Sequence, residues 1–128
     1  MAGAPRRDRQ TRSLGARLER RVARYLRKSG LKLVARNFHT RRGEIDLVML
    51  DEDCLVFVEV RYRDHSSFAD AALTVDATKQ RKLLQAASMF LAANDQYVHC
   101  VCRFDVVGVD RDAGGRLHVH WLRDAFRP

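Results

Sequence analysis

Glu44-Ile45-Asp46-Leu47-Val48-Met49-Leu50 and Cys54-Leu55-Val56-Phe57-Val58-Glu59-Val60-Arg61-Tyr62, joined through Asp51-Glu52-Asp53, decide the fold of this chain. Both segments are rich in Val, Leu and Phe and are short enough to be strands. Side chains alternate faces along a strand, so Glu44, Asp46, Val48 and Leu50 share one face, as do Leu55, Phe57, Glu59 and Arg61. A tight turn on Glu52-Asp53 pairs Asp51 with Cys54. Leu50 then faces Leu55, Val48 faces Phe57, Asp46 faces Glu59 and Glu44 faces Arg61. A three-residue loop would set Asp46 against Val58 and mix apolar with charged residues, so the even turn is the expected one.

Directly opposite side chains stand about 4.5–5.5 Å apart at Cβ. Two carboxylates at that distance repel unless a positive group lies between them. Two readings fit the hairpin alone. In one, a hard divalent cation, Mg²⁺ or Mn²⁺, takes oxygen from Asp46 and Glu59. In the other, Glu44 pairs with Arg61, and Asp46 and Glu59 pair with other arginines.

Outward from the hairpin, Leu14, Leu18, Val22, Tyr25 and Leu26 recur at helical spacing and predict a helix over about Ser13–Ser29, with Ser13 as its N-cap and Gly30 as its stop. Residues 1–12 are polar and Arg-rich and predict a flexible basic arm ahead of one domain over 13–128. Leu31–Phe38 reads as a strand. Asp64–Thr74 reads as a loop, and Asp76–Asn94 as a second helix with Leu83, Leu84, Ala87, Phe90 and Leu91 inward. Val98–Val109 and Leu117–Trp121 complete the strands. A helix, three strands, a helix and one or two further strands predict an α/β domain, a mixed sheet with helices packed on it.

Glu19 is the one acid of the first helix over Ser13–Ser29, at the border of its apolar arc. It either reaches the sheet as a third carboxylate or pairs with neighbouring arginines. Arg17, Arg20, Arg24 and Arg27, with Arg21 and Lys28, fill a separate arc of roughly 120° uninterrupted by acid. Such a stripe is either a solvated face or a track for a phosphate backbone. Gln80 leads the inner stripe of the second helix, where it orients a water or phosphate oxygen or bonds a nearby loop backbone.

Composition agrees with a polyanionic partner. The 128 residues carry 24 Lys plus Arg against 16 Asp plus Glu, a net charge of +8. Nucleic acid is the first expectation and an anionic membrane surface the second. No run approaches the roughly 18 apolar residues of a membrane span. The Arg-rich start does not read as a secretory signal, and the three cysteines, Cys54, Cys100 and Cys102, are an odd number without a Cys-x-x-Cys pair. A cytoplasmic location is expected. Cys100, Cys102, His118 and His120 have zinc-binding chemistry. A hairpin turning near Gly114, however, sets His118 opposite Val109 or Asp110, roughly 20 Å from the cysteines, so zinc is not expected.

Taken together, these segments resemble the YraN family of small bacterial proteins. The resemblance is carried by Leu14-Gly15 with Glu19, Ala23 and Tyr25-Leu26, and by Ala35-Arg36-Asn37-Phe38. Arg42-Gly43-Glu44-Ile45-Asp46-Leu47-Val48, Val56-Phe57-Val58-Glu59-Val60 and Lys79-Gln80-Arg81-Lys82 follow. Arg103-Phe104-Asp105-Val106-Val107 and Asp124-Ala125-Phe126 complete it. It implies a restriction-endonuclease-like fold shared with Holliday-junction resolvases, and a homodimer is compatible with that kinship. It puts Asp46 and Glu59 at metal-ligand positions, adds the Val60 carbonyl as a further ligand, and puts Glu19 where related resolvases carry a helical carboxylate. The family usually has Lys where this chain has Arg61, and arginine does not act as a proton acceptor. The resemblance therefore implies one of two functions. The first is a Mg²⁺- or Mn²⁺-dependent nuclease on DNA or RNA, with Glu19, Asp46, Glu59, Arg61 and Gln80 in the site. The second is a nucleic-acid-binding module that kept the fold and lost cleavage.

Overall fold

The computed structural model describes residues 6–64 and 75–127. Helix α1 spans Arg6–Lys28, β1 Lys32–His39, β2 Glu44–Asp51, β3 Cys54–Asp64, α2 Ala77–Ala93, β4 Val101–Arg111 and β5 Leu117–Phe126, with a 3-10 turn at Asp95–Tyr97. Residues 1–5 of the expected arm and residues 65–74 of the expected loop lie outside the described residues.

The five strands lie in sequence order, β1-β2-β3-β4-β5. Neighbours are antiparallel except β3 and β4, which are parallel. A parallel pair needs a crossover, and α2 provides it. The result is the expected α/β architecture, a mixed sheet with a helix on each face, compatible with a restriction-endonuclease-like domain.

Each helix covers one face because the strands alternate. Leu18, Val22, Ala23 and Leu26 of α1 pack on Leu47, Met49, Val56, Val58 and Val107. Leu83, Ala86, Ala87 and Phe90 of α2 pack on Val48, Leu55, Phe57, Phe104 and Val106. β3 is thus buried on both sides, which is why Leu55-Val56-Phe57-Val58 is an unbroken apolar run. Each such fully buried side chain stabilises the fold by about 1.5–3 kcal/mol. The cysteines are all half-buried and unpaired, and burial pushes the Cys54 and Cys102 thiols up.

Helix ends follow local chemistry. α2 is capped by Asp76, whose side chain accepts the Lys79 N–H at 2.8 Å. α1 closes on Gly30 at φ 104°, where the Leu31 N–H donates to the Leu26 carbonyl and the Gly30 N–H to that of Arg27. At its other end α1 begins at Arg6 rather than Ser13, so Ser13 is not its N-cap. Arg6–Ser13 contains no apolar residue, so periodicity had no signal to give there.

The turn at Glu52-Asp53 has the expected register: Asp51 pairs with Cys54, Leu50 with Leu55 and Val48 with Phe57. Beyond that the expectation needs correction. The ladder ends at Leu47–Val58, one pair short of Asp46–Glu59. Ile45 packs with Val48 on the α2 side instead of with Leu47, so the alternation of β2 slips at Asp46. Glu44 pairs with His39 of β1 at 3.3 Å rather than with Arg61.

A second irregularity explains a motif whose purpose the sequence does not reveal. Between Phe104–Phe126 and Val106–Leu122, β5 carries extra residues opposite Asp105. The fully buried Asp105 carboxylate fills this bulge. It accepts the Asp124 N–H at 2.8 Å, Trp121 Nε1 at 2.9 Å and Arg103 Nε at 3.0 Å. Arg103 in turn reaches Asp51 at 2.9 Å. This anchor carries β5 on to Phe126, past the expected end at Trp121.

Candidate active site

Where the β2–β3 ladder stops, the Asp46 side chain takes over. Its Oδ2 accepts the Val60 N–H at 2.8 Å, doing what a β2 carbonyl would do in a continuous ladder. A strand residue turns its N–H and C=O to the same neighbour, so the Val60 carbonyl faces this gap too. Glu59 is buried on the α2 face. Its Oε1 lies 3.2 Å from Arg61 Nε and 3.6 Å from Lys79 Nζ of α2. Among the described residues its Oε2 is buried without a hydrogen-bond partner.

The electrostatics follow from burial. Glu59 is pushed up to about 7, by desolvation first and by Asp46 second, against the opposing charges of Lys79 and Arg61. Desolvation also raises Asp46, opposed first by the Val60 hydrogen bond and then by Lys79. Glu19, on the inner edge of α1, is raised by partial burial and then by Asp46, while Asn37 holds it down by hydrogen bonding. Glu19 therefore lies close enough to Asp46 to feel its charge.

A buried carboxylate oxygen with no donor is an unfavourable arrangement, and a cation relieves it. Asp46, Glu59 Oε2 and the Val60 carbonyl are hard oxygen donors of the kind Mg²⁺ and Mn²⁺ take. Among the described residues no three His, Cys, Asp or Glu side chains form a ready-made cage, so such a site consists of two carboxylates and a carbonyl.

The expected residues do not all converge. Asp46, Val60, Glu59 and Arg61 meet, and Glu19 approaches from α1. Gln80 does not join them; its Nε2 donates to the Val75 carbonyl at 3.0 Å, the plainer of its two expected roles. Lys79, next to it, is the α2 side chain that arrives at Glu59 and was not singled out as a site residue. Helical position alone did not distinguish it from Arg81 and Lys82. Asn37 was also missed. It is left-handed at φ 51°, a conformation asparagine tolerates better than most residues.

Arg17, Arg20, Arg24 and Arg27 are exposed on the outer face of α1. Arg20, Arg24, Arg27, Lys28 and Arg36 line a hollow of about 370 Å³ on the β1 side. Arg17, Arg20, Arg21, Arg24 and Arg111 line another of about 290 Å³ toward β5. Asn37, which follows Arg36, hydrogen-bonds Glu19. His118 lies opposite Asp110 in the β4–β5 register and His120 opposite Gly108, well along the strand from Cys102. No described helix is long and apolar enough to cross a membrane.

The model of the uncharacterised protein family UPF0102, the YraN family, matches residues 18–109. This chain belongs to that family. A UPF0102 protein of Alcanivorax borkumensis is 45% identical over 118 residues, 92% of this chain and 94% of that one. One of Pseudomonas fluorescens is 45% identical over 112 residues, 88% of this chain and 91% of its own. One of Xylella fastidiosa is 47% identical over 116 residues, 91% and 93% of the two chains. The matched UPF0102 region contains Glu19, Asn37, Gly43, Asp46, Glu59, Arg61 and Lys79, so the whole candidate site falls inside the family segment.

Proposed function

We propose that this UPF0102 protein is a metal-dependent enzyme acting on phosphodiester bonds of DNA or RNA. The observation that carries this reading is Glu59 Oε2, a buried carboxylate oxygen without a donor among the described residues, beside the half-buried Asp46. Asp46, Glu59 and the Val60 carbonyl would hold Mg²⁺ or Mn²⁺. The chemistry such a cation supplies when bound is activation of water and neutralisation of charge on the phosphate. The chain's own groups do the rest. The Val60 N–H fixes the Asp46 carboxylate. Arg61 supplies a fixed positive charge beside Glu59 for the transition state. Glu19, with its raised proton affinity, is placed to accept or return a proton on the α1 side. The arginines of α1 hold the flanking backbone.

A second reading, a nucleic-acid-binding module without cleavage, is favoured by Arg61, whose Nε already lies 3.2 Å from Glu59. One experiment separates the two. Titration calorimetry with Mn²⁺ is combined with a metal-dependent cleavage screen over linear, single-stranded and branched DNA and RNA. The enzyme reading expects Mn²⁺ binding that Asp46→Asn or Glu59→Gln abolishes, together with turnover. Binding of nucleic acid without metal binding or turnover supports the second reading.

A further inference from the structure

Glu59 is not symmetrically surrounded. Both cations approach Oε1, and Oε2 is left bare. The side chain thus has a metal-facing oxygen and a cation-facing oxygen. The two cations also differ in origin. Arg61 is fixed on the same strand as Glu59, whereas Lys79 comes from the first turn of α2. The Glu59 side chain is 7% exposed, yet that of Lys79 is 34% exposed. The ammonium therefore stands at the mouth of the site, where a ligand can meet it.

What brings Lys79 there is visible one turn later. A Cβ on Gly43 would lie 2.6 Å from the Lys82 carbonyl oxygen and 3.0 Å from its carbon. Gly43 has no positive φ to explain it. Its requirement is steric: the turn entering β2 lies flush against the backbone of α2, and this contact sets how deeply the helix seats over the sheet. Gly43 thereby fixes the height of Lys79 above Glu59.

We propose that Lys79 is a phosphate-contacting residue of the site, holding a backbone phosphate oxygen over Glu59 beside Arg61, and that Gly43 is its positioning residue. This rests on the nucleic-acid reading above and adds a residue to it. Lys79 acts as a mobile charge. When a divalent cation occupies the Asp46 side of Glu59, it repels the ammonium, which turns outward to the phosphate. Metal and Lys79 therefore compete for Glu59 and cooperate on the substrate.

The competition gives a signature of opposite signs, which a merely structural residue would not produce. Lys79→Gln should tighten Mn²⁺ binding by calorimetry about threefold to tenfold, because a nearby positive charge is removed. In EDTA, where no cleavage occurs, the same variant should weaken binding of an oligothymidylate of roughly 12 nucleotides, a length suited to one small domain. The slope of log affinity against log salt should flatten by about 0.7 for the single lost contact. Lys79→Arg should keep the oligonucleotide slope. Arg81→Gln, the same charge loss at an exposed position of α2, should leave both unchanged. Gly43→Ala should move both quantities in the same directions as Lys79→Gln, by less. Unchanged Mn²⁺ affinity in Lys79→Gln, or a slope no flatter than that of Arg81→Gln, overturns the assignment. If the native chain binds no Mn²⁺, the metal reading fails, and the oligothymidylate comparison alone decides Lys79.

Discussion

Asp46 accepts the Val60 N–H at 2.8 Å, and in doing so ends the β2–β3 ladder with a side chain instead of a backbone carbonyl. The ladder therefore stops at Leu47–Val58, one residue before Glu59. The Val60 hydrogen bond also divides the labour of the pair. Asp46 has a donor that favours its charged form; Glu59 Oε2 has none among the described residues. The first negative charge of the coupled pair therefore settles on Asp46, and Glu59 keeps its proton longest.

The metal-free protein should lose stability as pH rises through this proton. Glu59 is raised in the folded state, from 4.5 to about 7. The folded chain then binds more protons than the unfolded one between these values, so stability falls as pH rises. The contribution is full below about pH 4.5 and lost above about pH 7, on the order of 3 kcal/mol. Glu59→Gln should flatten the dependence and melt higher than the native chain at pH 8. Thermal melts in EDTA from pH 5 to 8 check this. Equal pH slopes in the two proteins would show that Glu59 is not the proton concerned.

Asp105 should behave in the opposite way, although it too is a buried acid. Its oxygens are satisfied by Asp124 N–H, Trp121 Nε1 and Arg103. Removing the charge leaves Arg103 with Asp51 alone and the bulge without its anchor. Asp105→Ala should destabilise by about 3–5 kcal/mol, the usual cost of breaking a buried pair. Urea denaturation measures it. A loss below about 1 kcal/mol would mean that the bulge holds without the carboxylate. Neutralising Glu59 stabilises and neutralising Asp105 destabilises, which distinguishes an acid kept for chemistry from one kept for folding.

Much of the fold was legible because it rests on patterns of period 2 and 3.6. The span of α2, the register at Glu52-Asp53 and the strand over Cys54–Tyr62 all follow from periodicity and turn chemistry. What was not legible arises where alternation breaks. The slip at Asp46 and the bulge at Asp105 each depend on a side chain bonding the backbone of a different strand, and the left-handed Asn37 goes with a side-chain hydrogen bond to Glu19 of α1. No local pattern announces that. The same holds for Lys79 against Gln80: both lie on the first turn of α2, and only the seating of that helix on Gly43 decides which one meets Glu59.

The arginines of α1 should govern affinity and not chemistry. Replacing Arg17, Arg20, Arg24 and Arg27 by Gln should flatten the salt slope of duplex binding by about 3 to 4 if each meets a phosphate. Mn²⁺ binding should stay as in the native chain, since none of the four lines the carboxylate site. A fluorescence-anisotropy titration over a range of salt measures the slope. If it does not change, the stripe is a solvated face, and the hollow with Arg36 is not a binding track.

Arg61 is the residue on which cleavage and mere binding part. Its guanidinium lies 3.2 Å from Glu59 Oε1 and is partly exposed. It cannot take a proton from water, so any part it plays in turnover is through charge. The pH–rate profile should then have no limb from this side chain. Arg61→Lys keeps a charge on the same face of β3 as Glu59, so it should preserve or raise turnover. Arg61→Ala removes a preorganised charge and should cost on the order of 10²-fold. Loss of that cation should also tighten Mn²⁺ binding, as for Lys79→Gln, because both press on the same Glu59 oxygen. Metal-dependent turnover of the three proteins measured side by side gives the answer. Native turnover that survives Arg61→Ala would remove Arg61 from the site. Three inert proteins with equal affinity for nucleic acid would instead favour the binding module, with Arg61 as the counter-ion of a carboxylate no longer used for catalysis.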